Sequence, residues 1–126
     1  MALYLTIDEV LRIHERLFEA FGGTSGTRDL GLIESALLRP QTGYYVDLIE
    51  EAAALWESLT MNHGFIDGNK RVAYACTELF LQLNGLDITA ANDDAEKLIF
   101  RHLEGGTFCK QVLEAWLRLN TGCFDM

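Results

Sequence analysis

Residues 63–71, His-Gly-Phe-Ile-Asp-Gly-Asn-Lys-Arg, join two apolar helical patterns and constrain the fold more than any other segment. A glycine-containing loop that opens a helix directs free backbone N–H groups and the positive end of the helix dipole at one point. Lys70 and Arg71 lie on the first turn of that helix, where cations oppose the dipole. Two cations are favourable there if a polyphosphate binds the same turn. The segment therefore predicts an anion site at a helix start.

Each of these residues also has a purely structural interpretation. Asp67 could cap the following helix, Asn69 could serve a turn, and His63 could end the preceding helix. Lys70 and Arg71 could be solvated charges. The joint pattern favours chemistry, because an imidazole just before the loop can take a proton from a group that attacks a bound phosphate. We interpret the segment as a phosphoryl- or nucleotidyl-transfer site.

The segment resembles the signature of the Fic/Doc superfamily, His-x-Phe-x-(Asp/Glu)-Gly/Ala-Asn-x-Arg, and meets every defining position. Lys70 stands where Fic proteins that transfer AMP usually have glycine, and Tyr74 stands where they have a further arginine. A lysine at this position resembles the Doc branch, the toxins of toxin–antitoxin modules. Gly64 departs from the usual motif, in which proline is common.

The resemblance implies a reaction and assigns roles to the motif. It implies an ATP-dependent protein kinase that transfers the γ-phosphate to a hydroxyl of a translation factor similar to elongation factor Tu. His63 would be the general base. Asp67 would bind Mg²⁺, which prefers one or two carboxylates together with phosphate oxygens. The residues that would hold the nucleotide's phosphates are Gly68, Asn69, Lys70 and Arg71.

Two other functions stay open on the sequence. One is a protein nucleotidyltransferase that adds AMP to a hydroxyl, which Lys70 disfavours. The other is a catalytically silent helical binding module, which the intact motif disfavours. Self-inhibiting Fic proteins carry the pattern Ser/Thr-x-x-x-Glu-Gly/Asn. In this chain Glu104 is followed by glycine, but the residue four positions before it is Phe100 instead of Ser or Thr, so the pattern is not met. The resemblance therefore implies an antitoxin protein that inhibits in trans.

The composition is that of a folded protein with an acidic surface. Of the 126 residues, 49% are hydrophobic and one is proline, so we expect one compact domain over residues 1–126. Ten basic against nineteen acidic residues give a net charge of −9, which argues against direct binding of nucleic acid. The cations at positions 70 and 71 are a local exception within this acidic chain.

The sequence shows no sign of export or of membrane insertion. The N-terminus lacks a positive segment and reaches Asp8 and Glu9 early, unlike a signal peptide. No apolar run approaches the roughly 20 residues that span a bilayer. We expect a cytoplasmic protein that does not bind a membrane. The cysteines and histidines lack metal-binding spacing, so we also expect reduced thiols and no structural zinc.

Helical periodicity runs through almost the whole chain and predicts an all-α, compact single-domain bundle of about six helices. The resemblance implies the Fic/Doc fold. Leu86-Asp87-Ile88-Thr89 comes nearest to a strand and looks too short for a sheet. The predicted helices run from the capping box Thr6–Glu9 to Gly22–Gly23, from Asp29 to Arg39 before Pro40, from Asp47 to His63, from the motif to Asn84–Gly85, from Asp93 to Leu103, and onward from a cap at Thr107.

Several other residues have a structural interpretation only. His14 and His102 lie in helical patterns and are expected to be hydrogen-bonded helix residues. Trp56 and Trp116 are expected to be core or partner-contact aromatics, and Phe65 a core anchor that holds the shape of the motif. Tyr44-Tyr45, in the loop before the third helix, are expected to border the site.

Overall fold

A computed structural model describes residues 2–124 of the chain. Within this range the protein has six α-helices, one short 3₁₀ helix and one two-stranded sheet. The elements in chain order are α1 Ile7–Phe21, α2 Leu30–Leu38, the 3₁₀ helix Arg39–Gln41, α3 Leu48–Met61, α4 Asn69–Leu83, β1 Leu86–Ile88, α5 Asn92–Glu104, α6 Lys110–Leu119 and β2 Thr121–Cys123. The predicted bundle of about six helices is confirmed.

Local hydrogen bonds start the first three helices where the sequence predicts. The Thr6 hydroxyl accepts from the Glu9 N–H at 3.2 Å, and the Glu9 carboxylate accepts from the Thr6 N–H at 2.8 Å. This is the predicted capping box. Asp29 caps α2 and Asp47 caps α3, each by accepting from a backbone N–H three residues later. Short polar side chains therefore define these starts.

Two predictions about the C-terminal third are wrong. Leu86–Ile88 does form a strand, paired antiparallel with Thr121–Cys123 so that Leu86 faces Cys123. The segment is short, but a partner beyond α6 supplies the missing hydrogen bonds. Thr107 does not cap α6, which begins at Lys110; its hydroxyl lies 2.7 Å from His102 Nδ1 instead.

The start of α6 is capped from a different helix. Its N-cap residue, Cys109, makes no side-chain cap bond. Instead, Oε2 of Glu57 on α3 accepts from the Lys110 N–H at 2.9 Å. The other oxygen of this carboxylate accepts from Arg39 at 2.6 Å. A long-range carboxylate thus does what a local cap does elsewhere.

The hydrophobic core lies along α3, which packs against α4 on one side and α6 on the other. Trp56 is fully buried there, with its ring centroid 5.4 Å from Tyr74, 6.2 Å from Phe108 and 5.7 Å from Trp116. We expected Trp56 and Trp116 to be core or partner-contact aromatics; Trp56 is a core residue, and Trp116 is partly buried against this cluster. Because α3 and α4 are both held by this core, the loop that joins them has fixed ends.

In the part of the chain that the structure covers, every helix is too short or too polar to cross a bilayer. The predicted domain over residues 1–126 includes Met1, Asp125 and Met126, which lie outside the described residues. The domain boundaries stay a prediction.

Candidate active site

The predicted site residues lie together in the loop from α3 to α4 and on the first turn of α4. His63 follows the C-cap of α3 and has φ 52°, the one positive φ at a non-glycine residue between residues 2 and 124. Glycine is the usual residue after a helix in this left-handed conformation, which costs other residues roughly 1–2 kcal/mol. The His63 side chain is exposed. A strained, exposed imidazole at this point suggests a functional position.

Gly64 is required by the close approach of α2. A Cβ atom at this position would overlap Ile33 Cγ1 and would lie 3.3 Å from the Asp29 carbonyl oxygen. Proline, common here in Fic motifs, would meet the same obstruction. The departure of this chain from the usual motif therefore follows from how tightly α2 packs on the loop.

Two stacked aromatic rings, those of Phe65 and His14, pack against the loop on the side of the core. Phe65 is buried, which confirms its expected role as an anchor. Its ring stacks on His14 of α1, with centroids 3.9 Å apart and planes 8° from parallel. His14 Nε2 donates to the Asp67 carbonyl oxygen at 2.8 Å, because a carbonyl can only accept. His14 is the hydrogen-bonded helix residue that we expected, and it holds the motif.

Asn69 closes the loop on itself. Its side-chain oxygen accepts from the Phe65 N–H, and its amide nitrogen donates to the Phe65 carbonyl, both at 3.0 Å. An amide nitrogen carries two donors, so one N–H stays available for another group. The phosphate-binding role of Asn69 stays a prediction, while its role in shaping the loop is visible in the structure.

The Asp67 carboxylate is exposed and bound by two backbone amides. Oδ2 accepts from the Thr24 N–H at 3.1 Å and Oδ1 accepts from the Gly68 N–H at 2.8 Å. These bonds, that from Thr24 first, lower the pKa of Asp67 below its ordinary value. Asp67 is therefore a carboxylate at neutral pH. It does not cap α4, whose N-cap is Gly68.

A glycine on the opposite segment makes this arrangement possible. Gly23 has φ 101°, and a Cβ atom there would lie 2.6 Å from Asp67 Oδ2. Both the backbone conformation and the available space therefore require glycine. The Phe-Gly-Gly stretch that stops α1 thus also forms one wall of the site.

The start of α4 is open to an anion. Gly68 has a left-handed conformation, with φ 80°, and no side chain among the described residues caps the helix. Lys70 and Arg71 are exposed, and neither forms an ion pair within residues 2–124. The guanidinium carbon of Arg71 lies 4.6 Å from the Phe21 ring centroid. Free amides and unpaired cations at one helix start fit a phosphate group.

A groove of about 570 Å³ extends from Lys70 and Arg71 between α1, α4 and α5. Tyr74 lines it, half-buried, and burial raises the pKa of this phenol to about 12. The position that carries a second arginine in AMP-transferring relatives is therefore neutral here. Lys70 and Arg71 are the cations that line this groove.

The residues fit a magnesium ion only in the presence of phosphate. No cluster of three or more His, Cys, Asp or Glu side chains suited to a metal occurs in the described range. Asp67 is the carboxylate of the loop. Mg²⁺ is commonly bound by one or two carboxylates, with phosphate oxygens and water completing its shell. Asp67 would meet that requirement together with a phosphate group bound at the start of α4.

The sequence model of the Fic/DOC family matches residues 4–81, more than half of the chain. The chain belongs to this family. The matched residues run from the segment before α1 into α4 and so include the whole loop. The predicted membership of the superfamily is confirmed.

Two relatives carry names from the Doc branch. The chain is 48% identical over 79 residues to a protein of Mycolicibacterium smegmatis named Toxin Doc, covering 59% of this chain and 61% of that protein. It is 29% identical over 89 residues to the Protein kinase doc of Escherichia phage P1, covering 68% of this chain and 71% of that protein. The match to the first relative thus spans less than two thirds of its length. These names support the Doc branch.

Sequence reasoning missed two residues that shape the site, Thr24 and Arg28, and it missed that the hydrogen bond of His14 goes to the motif. Each residue contacts the motif from a distant part of the chain, and no local sequence pattern predicts such a contact. The Tyr45 hydroxyl accepts a hydrogen bond from Arg39 Nε at 2.9 Å. The prediction that Tyr44-Tyr45 border the site stays a prediction.

Proposed function

We propose that the protein is a toxin of a toxin–antitoxin module and acts as a Doc-like protein serine/threonine kinase. It transfers the γ-phosphate of ATP to a hydroxyl of a translation factor similar to elongation factor Tu, and so arrests translation in the cytoplasm. The observation that carries the proposal is the uncapped start of α4 with the unpaired cations Lys70 and Arg71. The names Toxin Doc and Protein kinase doc support it.

The first turn of α4 binds the phosphates in this proposal. The N–H groups of that turn point along the helix axis, and the dipole adds positive potential. Arg71 offers a planar fork that matches two phosphate oxygens, and Lys70 offers a compact charge. Gly68 has no side chain to obstruct the approach. Because phosphoryl transfer depends mainly on positioning and charge neutralisation, this turn supplies most of what catalysis needs.

His63 moves the proton. Its imidazole takes the proton of the acceptor hydroxyl while that oxygen attacks the γ-phosphorus. The bond from the γ-phosphorus to the bridging oxygen breaks, and ADP leaves with the electron pair. Asp67 would hold Mg²⁺, which would neutralise charge on the phosphates. The Asn69 side chain keeps the loop closed between base and phosphate site, as its two bonds to Phe65 indicate.

Restraint comes from a partner protein in this proposal. The pattern that self-inhibiting Fic proteins use is missing at Glu104, where Phe100 replaces the required Ser or Thr. A relative named as a toxin supports an antitoxin that acts in trans. We also propose that the protein does not bind nucleic acid directly, in keeping with its net charge of −9.

ATP labelled at the α- or the γ-phosphate tests the reaction. The purified protein is offered elongation factor Tu with Mg²⁺ and each label in turn. We expect label on the factor from γ-labelled ATP only. Label from the α position only would mean AMP transfer. No label from either would support the silent binding module.

A second experiment tests the phosphate site without relying on turnover. Because bound anion relieves the conflict between the cations and the helix dipole, Mg²⁺ with ATP should raise the melting temperature. Ligand at about 100 times its Kd adds roughly 2.7 kcal/mol to the free energy of unfolding. We expect a much smaller rise in Arg71→Ala. Arg12→Ala, an exposed arginine of α1 outside the loop, is the matched control. Equal shifts in all three proteins would place the nucleotide elsewhere.

A further inference from the structure

The backbone of His63 is held by a residue that no motif includes. The last carbonyls of a helix lack intrahelical partners and need other donors. After α3, the Asn62 oxygen accepts from Arg28 Nη2 at 3.2 Å and the His63 oxygen accepts from Arg28 Nε at 2.7 Å. The next oxygen, that of Gly64, accepts from the Arg28 N–H at 2.8 Å. One arginine therefore binds three consecutive carbonyls.

These contacts control the two backbone torsions of His63. The Asn62 carbonyl belongs to the peptide plane before the His63 Cα, and the His63 carbonyl belongs to the plane after it. The rotation of these planes about the Cα defines φ and ψ. A guanidinium that binds both oxygens through one rigid fork therefore sets both torsions. This accounts for the left-handed φ of 52° at a residue that would otherwise avoid it.

We infer that Arg28 is a positioning residue that aims the His63 imidazole at the acceptor hydroxyl. This inference rests on the proposed function of His63 as the base. It deepens that proposal, because it assigns the geometry of the base to a residue outside the motif.

The segment that carries Arg28 is itself anchored to the loop. Thr27 forms a β-bridge with Phe65, and Gly26 accepts from the Ile66 N–H at 3.2 Å. The Asp29 N–H donates to the Gly64 oxygen at 2.9 Å. Arg28 forms no ion pair among the described residues, so no carboxylate competes with the carbonyls. A cation at the C-terminal end of α3 also suits the dipole of that helix.

Arg28→Ala is the test variant and Asn84→Ala its matched control. Asn84 likewise donates to two carbonyls, those of Leu3 and Phe80, but at the far end of α4. Both variants lose a capping side chain, and only Arg28→Ala frees the loop. We expect Arg28→Ala to lower kcat for γ-phosphate transfer about 10- to 100-fold, since a base displaced by about 1 Å loses that much. The KM for ATP should stay unchanged, and so should both constants in Asn84→Ala.

Two further measurements separate positioning from stability. Adding Arg28→Ala to His63→Ala should lower the residual rate no further, because the two residues act through one base. In NMR spectra, the three-bond coupling between the His63 amide and α protons, which reports φ, should change in Arg28→Ala and not in Asn84→Ala. If Arg28→Ala does not fold, Arg28→Lys replaces it, since it keeps the charge and lacks the fork.

The outcomes distinguish this inference from the proposed function. If the unsubstituted protein has no kinase activity but the His63 coupling changes in Arg28→Ala, the positioning is supported and the proposed function is refuted. An unchanged coupling, or full kcat in an active Arg28 variant, would overturn the positioning. A kcat loss of equal size in Asn84→Ala would also overturn it, because general stability would then explain the effect.

Discussion

His63→Ala should abolish γ-phosphate transfer and growth arrest while the helical fold stays intact. A positioned base contributes about 10²- to 10⁴-fold to the rate. The His63 side chain is exposed, so its loss removes little packing. Alanine bears the same left-handed strain as other non-glycine residues, so the backbone cost barely changes. Label transfer from γ-labelled ATP and growth on induced expression measure the effect, with circular dichroism as the check on folding.

His102→Ala is the matched control for this substitution. His102 is also a partly exposed imidazole, but it contacts Thr107 at the end of α5. We expect this variant to keep full activity. Growth arrest by His63→Ala would show that the imidazole is not the base.

Lys70→Gly should sharply weaken γ-phosphate transfer. In the proposed reaction the Lys70 ammonium group neutralises charge that develops on the transferred phosphoryl group, and such an interaction is worth roughly 3–4 kcal/mol once bound substrates exclude water from the site. The space that the side chain leaves resembles that of AMP-transferring relatives. We therefore also expect slow AMP transfer to appear. Both labels are measured on the same acceptor.

Two controls accompany the Lys70 substitution. Glycine also costs about 1 kcal/mol of helix propensity, so Lys70→Ala separates lost charge from a weakened helix. Lys70→Ala should also weaken γ-phosphate transfer, but it should leave less new space beside the phosphates than Lys70→Gly does. Lys97→Gly makes the same change at an exposed lysine of α5 and should leave transfer unaffected. Unchanged γ-transfer in Lys70→Gly would show that this residue does not set the reaction.

The sequence was sufficient wherever a structure depends on near neighbours in the chain. Thr6, Asp29 and Asp47 each cap a helix through a bond to a residue three positions later. The periodic apolar residues place α3 and α4 in the core, and the motif places the loop between them. The family follows from the same nine residues, and its match to residues 4–81 confirms it. The catalytic roles of the motif stay predictions.

Contacts between distant residues could not be predicted in this way. β1 needs β2, which follows α6, and α6 needs a carboxylate of α3 to cap its first amide. Neither partner is recognisable before the helices are packed. Local patterning therefore missed the sheet and chose the wrong cap for α6.

The sequence by itself determined which chemical groups meet at one loop: an imidazole, a carboxylate and two cations lie within nine residues, so their proximity follows from chain connectivity. Only the tertiary structure decided how they are held. His14 supports the loop from α1, Thr24 binds Asp67, and Arg28 sets the backbone of His63. These bonds depend on directions and distances of a few tenths of an ångström between segments far apart in sequence. Such geometry exists only after the helices have packed.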